Sequence, residues 1–357
     1  MHAQLNRKVG RMITPSSHPI PAPGELCEVA SGIYWLRMPL PFALDHINLY
    51  VLEDEKGLYL LDTGVQSSRS KAVWLHCLAA LHKPVVGVIV THMHPDHCGL
   101  AGWLCTEFKV PLWMSALEYY AANTTFAPNP DADTSVEMDY FIQAGLTPEH
   151  AQQYVSDRSE YTQAVAPLPL AYHRLIQDDT LSIGGRDWQV LTFGGHSPEH
   201  VCLYCAADQL LIGGDQVLPY ISPNIGVYSR EPDANPLVDY FASLDTLAKL
   251  PDETLVLPSH NVPYKGLGFR CQALHEHHNA MLNQLTEFCQ APRTLLQCMP
   301  ELYARELSGQ LLFFALAEGL AHLNYLYYNG SMARQKDADG CYRYHTIGQQ
   351  DTPGGAE

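Results

Sequence analysis

The stretch Val90-Thr91-His92-Met93-His94-Pro95-Asp96-His97-Cys98-Gly99 constrains this chain more than any other. It puts three histidines and an aspartate within six residues, directly after the apolar run Val85-Val86-Gly87-Val88-Ile89-Val90. An apolar run of that length reads as a buried strand. Open α/β sheets place their sites where such strands end, so the ligand-type residues fall on the turn leaving the strand. His92 and His94 are two apart and point the same way in extended backbone. Pro95 lacks an N–H and ends the ladder, which throws Asp96 and His97 to the other side of the turn. One loop then offers two pairs of donors to two neighbouring metal ions, and imidazole with carboxylate suits zinc.

Three further strand ends carry donors. Thr192-Phe193-Gly194-Gly195-His196 supplies His196, Leu210-Leu211-Ile212-Gly213-Gly214-Asp215 supplies Asp215, and Leu255-Val256-Leu257-Pro258-Ser259-His260 supplies His260. The succession His-x-His-x-Asp-His, Gly-His, Gly-Asp, Ser-His over about residues 27–265 resembles the metallo-β-lactamase-fold hydrolase superfamily, in its glyoxalase II-like, dinuclear zinc branch. The resemblance implies a four-layer αβ/βα sandwich. It further implies that His92, His94 and His196 hold one metal, that Asp96, His97 and His260 hold the other, and that Asp215 bridges them. Two Zn²⁺ are the expected cofactors, with Fe or Mn as alternatives.

The rest of the chain divides around this core. Residues 1–24 are polar and Pro-rich and read as an N-terminal arm. Residues 25–268 form the catalytic domain, with a helical insertion at about 116–171 that reads as a cover over the site. Residues 269–335 read as a small all-α domain, similar to the helical or winged-helix-like domains appended to some lactamase-fold hydrolases, and 336–357 as a polar tail. Ser68–Leu81 has the apolar spacing of a crossover helix. In Phe269–Cys289, the histidines 275, 277 and 278 fall on different helical faces, so a solvated helix is expected there rather than a metal site. Asp62, at the end of the strand-like run Gly57–Asp62, reads equally as a plain turn residue and as outer support for a ligand histidine. Cys202 and Cys205 would face opposite sides of a strand, which favours packing over a redox pair.

Composition narrows the partners. A net charge of −17 disfavours nucleic acid, since phosphate backbones need Lys and Arg. The apolar segment Gln310–Tyr328 is interrupted by Glu318, His322 and Asn324, so no membrane span is expected. No basic start followed by an apolar run appears, and ten cysteines show no staple pattern; both point to the cytoplasm. The residues leave open whether the chain forms a homodimer.

The chemistry that follows from the resemblance is hydrolysis by a hydroxide held between two metals, with Asp96 orienting it and taking its proton. A small ester, thioester or lactone is the expected substrate. A phosphodiesterase or nuclease of the same fold, and an iron-dependent sulfur dioxygenase, are the alternatives. Phe42, His46, Met93, Tyr220 and Asn224 are the candidate pocket residues. Lys265 and Arg270 are the nearest downstream cations for an anionic substrate.

Overall fold

The computed structural model describes residues 13–41, 44–127, 133–156 and 158–347. They form two compact units. The first takes the described residues within 1–128, 159–223 and 243–272; the second takes those within 129–158, 224–242 and 273–357.

The first unit is built on two sheets. After the short strand β1 (Thr14–Pro15), strands β2 (Leu26–Ala30), β3 (Ile33–Pro39), β4 (His46–Glu53), β5 (Leu58–Leu61), β6 (Val85–Ile89), β7 (Leu112–Ser115) and β8 (His173–Leu175) make a seven-stranded sheet in chain order. Pairing is antiparallel from β2 to β5 and parallel from β5 to β8. Parallel neighbours need crossovers. Helix α1 (Ser68–Leu81) supplies one, and α2 (Pro95–Cys98) with α3 (Ala101–Phe108) supplies the next. Ser67 caps α1 by accepting from Ser70 N at 3.0 Å. The last crossover contains α4 (Ala116–Phe126), α5 (Ser135–Gln143), α6 (Pro148–Ser156) and α7 (Arg158–Gln163). The second sheet joins β9 (Thr180–Ile183), β10 (Arg186–Phe193), β11 (His200–Cys205), β12 (Leu210–Gly214), β13 (Leu255–Pro258), β14 (Tyr264–Lys265) and β1.

Period-two alternation assigns each side chain to a layer. On β3 and β4, Ile33, Trp35, Tyr50 and Leu52 join Trp188, Val190, Leu203 and Ile212 of the second sheet in the core between the sheets. Their alternates Leu36, Met38, Ile47, Leu49 and Val51 pack outward with Trp74 of α1 and Leu104 of α3. Strands buried on both faces read as unbroken apolar runs, which is why β4 and β6 show no polar alternation. The architecture is the αβ/βα sandwich. Two long-range ties close it: Asn48 Nδ2 and Tyr50 Oη both donate to the carbonyl of Pro258, each at 2.9 Å, across about 210 residues of chain.

Within the first unit, Cys202 and Cys205 are buried on β11, and Cys202 Sγ donates to Gly213 O. All ten cysteines are free of disulfides.

The second unit contains α5, α6, the end of α8 (Pro236–Leu247) nearer its start, most of α9 (Leu267–Phe288), α10 (Leu295–Leu302), α11 (Gly309–Tyr328), and a hairpin of β15 (Met332–Lys336) with β16 (Tyr342–Thr346). Its ties include Leu296 N to Ala144 O and Val227 N to Ala317 O. The helical reading of this region holds for its helices, and past Ala333, where an end strand or disorder is the expectation, the structure pairs two strands. Gly340 turns this hairpin with a φ of 86°, and Arg334 lies over the Tyr342 ring at 4.5 Å. Sequence reading stopped at the polar residues and missed that Met332 and Tyr344 among them are buried. The expected solvated histidines are corrected too. His277 and His278 are buried together with Leu274, Met281, Leu282 and Leu285, so α9 has a buried face broad enough to include adjacent positions. Among the described residues no helix is long and apolar enough to cross a membrane.

Candidate metal centre

At one rim of the sandwich five strand ends converge, and each delivers a polar side chain. Asp62 follows β5, the His92–His97 loop follows β6, His196 follows β10, Asp215 follows β12 and His260 follows β13. The Gly214 φ of +52° turns the chain just before Asp215, and a Cβ there would lie 2.4 Å from the His200 ring. Only glycine fits both the left-handed backbone and that approach.

The donors form overlapping groups with ligand atoms within 4.8 Å of one another: His92, His94 and His196; His92, His97 and Asp215; Asp96, His97 and His260. His92 Nε2 lies 2.9 Å from His94 Nδ1 and 3.2 Å from His196 Nε2. Asp215 Oδ2 lies 3.6 Å from His196 Nε2, 3.5 Å from His97 Nε2 and 3.4 Å from His260 Nε2. Asp96 Oδ2 is 3.4 Å from His260 Nε2 and 3.7 Å from His97 Nε2. One carboxylate oxygen of Asp215 thus faces nitrogens of both sets.

Hydrogen bonds behind these residues fix which ring nitrogen faces the cluster. The carbonyl of His46 can only accept, so His260 Nδ1 donates to it at 2.9 Å, and Nε2 is the nitrogen that faces Asp96 and Asp215. The Asp62 carboxylate accepts from Thr91 N, from the Thr91 hydroxyl and from His97 Nδ1. With its proton given to Asp62, the Thr91 hydroxyl accepts from His92 Nδ1 at 3.0 Å. His92 and His97 therefore both turn Nε2 into the cluster. Of the two readings open for Asp62, the support role is the one these bonds describe. Outer-shell acceptors of this kind orient metal-binding imidazoles. Its φ of +58° fits an Asx residue in the left-handed region.

Charge divides the cluster. Burial, then the surrounding histidines, holds His92 well below the usual imidazole range and His94 down at about 3. Burial would also lower His97 and His260, but carboxylates overcome it: Asp62, Asp215 and Asp96 around His97, and Asp215 and Asp96 around His260, which rises to about 10. His97 Nε2 and Asp215 Oδ1 are buried with no hydrogen-bond partner, and the separations of 3.4–3.7 Å are too long for good hydrogen bonds. Lone pairs facing one another and carboxylates facing imidazoles at such distances fit cations with bond lengths of about 2.0–2.2 Å. The donor set suits divalent metal ions.

Three residues central to this arrangement escaped the sequence reading. Thr91 lay inside the motif, just past the strand run that ends at Val90, and carried no expected role. Glu118 is fully buried in α4; its oxygens accept from Met93 N at 2.8 Å and Glu199 N at 2.7 Å. It thereby staples the ligand loop to the segment after His196. Burial pushes its carboxyl up to about 7 against those hydrogen bonds. His200 stacks on His92 at 4.7 Å and accepts from Asp215 N. Nothing in the local sequence marks Glu118, whereas a histidine opening an apolar strand was a usable signal for His200.

The candidate pocket residues separate. Phe42 lies outside the described residues. His46 is buried, accepts from Asn261 N on Nε2 and meets Asp45 at 2.6 Å, so it acts on the site through its carbonyl. Met93 and Tyr220 are partly exposed in the first unit. Asn224 belongs to the second unit, where it donates to Phe314 O and accepts from Tyr228. Arg270 is buried and donates to the carbonyls of Leu218 and Ile221, so it holds the loop after Asp215.

A sandwich with two joined His/Asp donor sets at its rim defines a class, the metal-dependent hydrolases of this architecture. Residues 43–260 match the Metallo-beta-lactamase superfamily, and 282–347 match the Metallo-beta-lactamase-like, C-terminal domain. The chain belongs to the metallo-beta-lactamase superfamily and is a metal-dependent hydrolase. It is similar to the solved Beta-lactamase domain protein from Burkholderia ambifaria, at 39% identity and a TM-score of 0.88 over 96% of this chain and 100% of that one. It is 27% identical to the probable metallo-hydrolase YqjP of Bacillus subtilis over 82% of this chain and 91% of that protein. It is 26% identical to a hydroxyacylglutathione hydrolase of Albidiferax ferrireducens over 66% of this chain and 69% of that protein.

Proposed function

We propose that this hydrolase cleaves a small ester, thioester or lactone, using two zinc ions. The single observation that carries the dinuclear reading is the Asp215 carboxylate oxygen, equidistant within 0.2 Å from His196, His97 and His260. In this reading His92, His94 and His196 would hold one ion, Asp96, His97 and His260 would hold the other, and Asp215 would serve both. When bound, the two ions lower the pKa of water from ~15.7 toward ~7 and polarise the oxygen of the scissile group.

The chain's own residues do the rest. Asp62 and the His46 carbonyl keep the ligand imidazoles in one tautomer. Asp96, whose side chain keeps 19% of its exposure, is placed to take a proton from attacking water at Oδ2. His94 is the other partly exposed donor, so substrate enters on the side of these two residues. The net charge of −17 argues against a polyanion. The hydroxyacylglutathione hydrolase relative supports a thioester. Ten free cysteines support a reducing, cytoplasmic setting.

The test is a hydrolysis panel on zinc-loaded protein, pairing p-nitrophenyl esters, thioesters and lactones with bis-p-nitrophenyl phosphate. Activity on the carbon esters or thioesters above the phosphodiester supports the reading; the reverse order overturns it. Elemental analysis of wild type and Asp215→Ala tests the ion count. A loss of metal in the variant is expected, and an unchanged count removes Asp215 as the bridge.

A further inference from the structure

We propose that Glu118 is a positioning residue for one of the two ions only: from α4 it sets the spacing of His92, His94 and His196, while Asp96, His97 and His260 depend on other supports. The inference rests on the two-ion reading above and names the part of the fold that shapes its first site.

Glu118 is fully buried, and its two oxygens reach two different segments. Oε2 accepts from Met93 N at 2.8 Å and Oε1 from Glu199 N at 2.7 Å. Met93 stands between His92 and His94, and Glu199 three residues after His196. The grip is reciprocal. Glu199 Oε2 accepts from Leu117 N at 2.9 Å, and Ser115 Oγ donates to the Glu199 carbonyl at 2.7 Å. The start of α4 therefore holds Glu199 by its N–H, its carbonyl and its side chain. Met93 is held from both ends as well, because Cys98 Sγ donates to its carbonyl at 3.0 Å. Its N–H belongs to the peptide plane from His92, and its carbonyl to the plane leading to His94. Both planes joining these two donors are thus pinned, and with them the directions in which the imidazoles leave the chain.

The result is a trio close to ligand spacing. His92 Nε2 lies 2.9 Å from His94 Nδ1 and 3.2 Å from His196 Nε2. The edge of a tetrahedron with metal–nitrogen bonds of about 2.1 Å is roughly 3.4 Å. The other donors hang from different anchors. The Asp96 carbonyl accepts from Gly64 N at 2.9 Å, and the His97 carbonyl from Thr63 N at 2.8 Å and Thr63 Oγ1 at 2.6 Å. His260 is tied to the His46 carbonyl. None of these bonds includes a residue of α4. A carboxylate is the side chain this clasp needs, since two N–H donors on separate segments require an acceptor at each end of one group. Glutamine has the same shape but offers one acceptor oxygen and turns an NH₂ toward the other N–H.

The experiment measures zinc affinity of the full chain, stripped of metal, by competition with a chromogenic chelator. His260→Ala leaves the first donor set intact, and His196→Ala leaves the second. Each is compared with and without Glu118→Gln. The substitution should weaken zinc by roughly 10–100-fold in His260→Ala and leave the affinity of His196→Ala unchanged. Equal weakening in both would mark Glu118 as general packing and overturn the proposal, as would no change in either. The zinc count of wild type is read separately. One zinc per chain overturns the two-ion reading, and the paired affinities still decide the role of Glu118. If Glu118→Gln fails to fold, Ser115→Ala, which releases the Glu199 carbonyl, is run in the same pairs. A loss confined to His260→Ala supports the clasp, and any other pattern overturns it.

Discussion

The rim cluster and the helical cluster, where His278 of α9 meets His322 of α11, use the same device on different frames. In both, ring nitrogens are held by short hydrogen bonds: His260 Nδ1 to the His46 carbonyl, His97 Nδ1 to Asp62, and His278 Nδ1 with His322 Nε2. At the rim the donors sit on loops leaving strands, and Asp96 and His94 keep contact with solvent. Between α9 and α11 the histidines are closed in. Loops at strand ends can present a ligand to metal and substrate together. Helix faces packed against each other close their histidines off from substrate. The comparison assigns chemistry to the first cluster and packing to the second.

The largest effect should come from Asp96→Asn. The variant keeps an oxygen donor and loses the proton acceptor, so kcat should fall about 10²–10⁴-fold. Steady-state kinetics with excess zinc checks this; full recovery by zinc would reduce Asp96 to a ligand only.

Next in size is the outer support. Asp62→Asn should weaken rim metal affinity by roughly 10–100-fold, read by competition with a chromogenic chelator. His322→Phe removes the hydrogen-bond partner of His278 Nδ1 in the helical cluster and should lower the urea midpoint of unfolding while leaving hydrolysis at the wild-type rate. If His322→Phe lowers turnover instead, the division between the two clusters fails.

The smallest effect concerns Glu118. Its carboxyl is raised to about 7 in the fold from an ordinary value of 4.5, with burial as the main cause. A raised acid contributes stability below its unfolded pKa and loses it as pH rises through the folded one. Relative to Glu118→Gln, wild type should therefore lose stability between about pH 4.5 and 7. Urea unfolding of both proteins across that window measures the difference, and parallel curves would show that Glu118 is ionised throughout.

How far the sequence reveals these two clusters follows from their frames. Four rim donors sit within six residues, because one turn between a strand and a helix can aim them to two sides. The other three each follow an apolar run ending in glycine or in Pro-Ser. Crossover helix α1 was legible to the residue, since one face meets the sheet and one meets water. Strand β7 (Leu112–Ser115) went unread because four residues are too few to show a period. The helical cluster was hidden for a stronger reason. Adjacent histidines look divergent on an isolated helix, and only the packing of α11, some forty residues on, makes both positions interior. Glu118 was hidden likewise: its partners are backbone N–H groups, which leave no trace in residue identity.

The ties from Asn48 and Tyr50 to Pro258 set a timetable for synthesis. A nascent chain that has emerged only through β8 has made one whole sheet, yet Ile33, Trp35, Tyr50 and Leu52 still lack the opposing wall. Contacts separated by so much chain form slowly, and the partner carbonyl lies two residues before His260. The ties to Pro258 and the delivery of the final rim donor therefore come together in the chain. A ribosome stalled before β10 leaves the inner face of the first sheet uncovered, a natural client for chaperones.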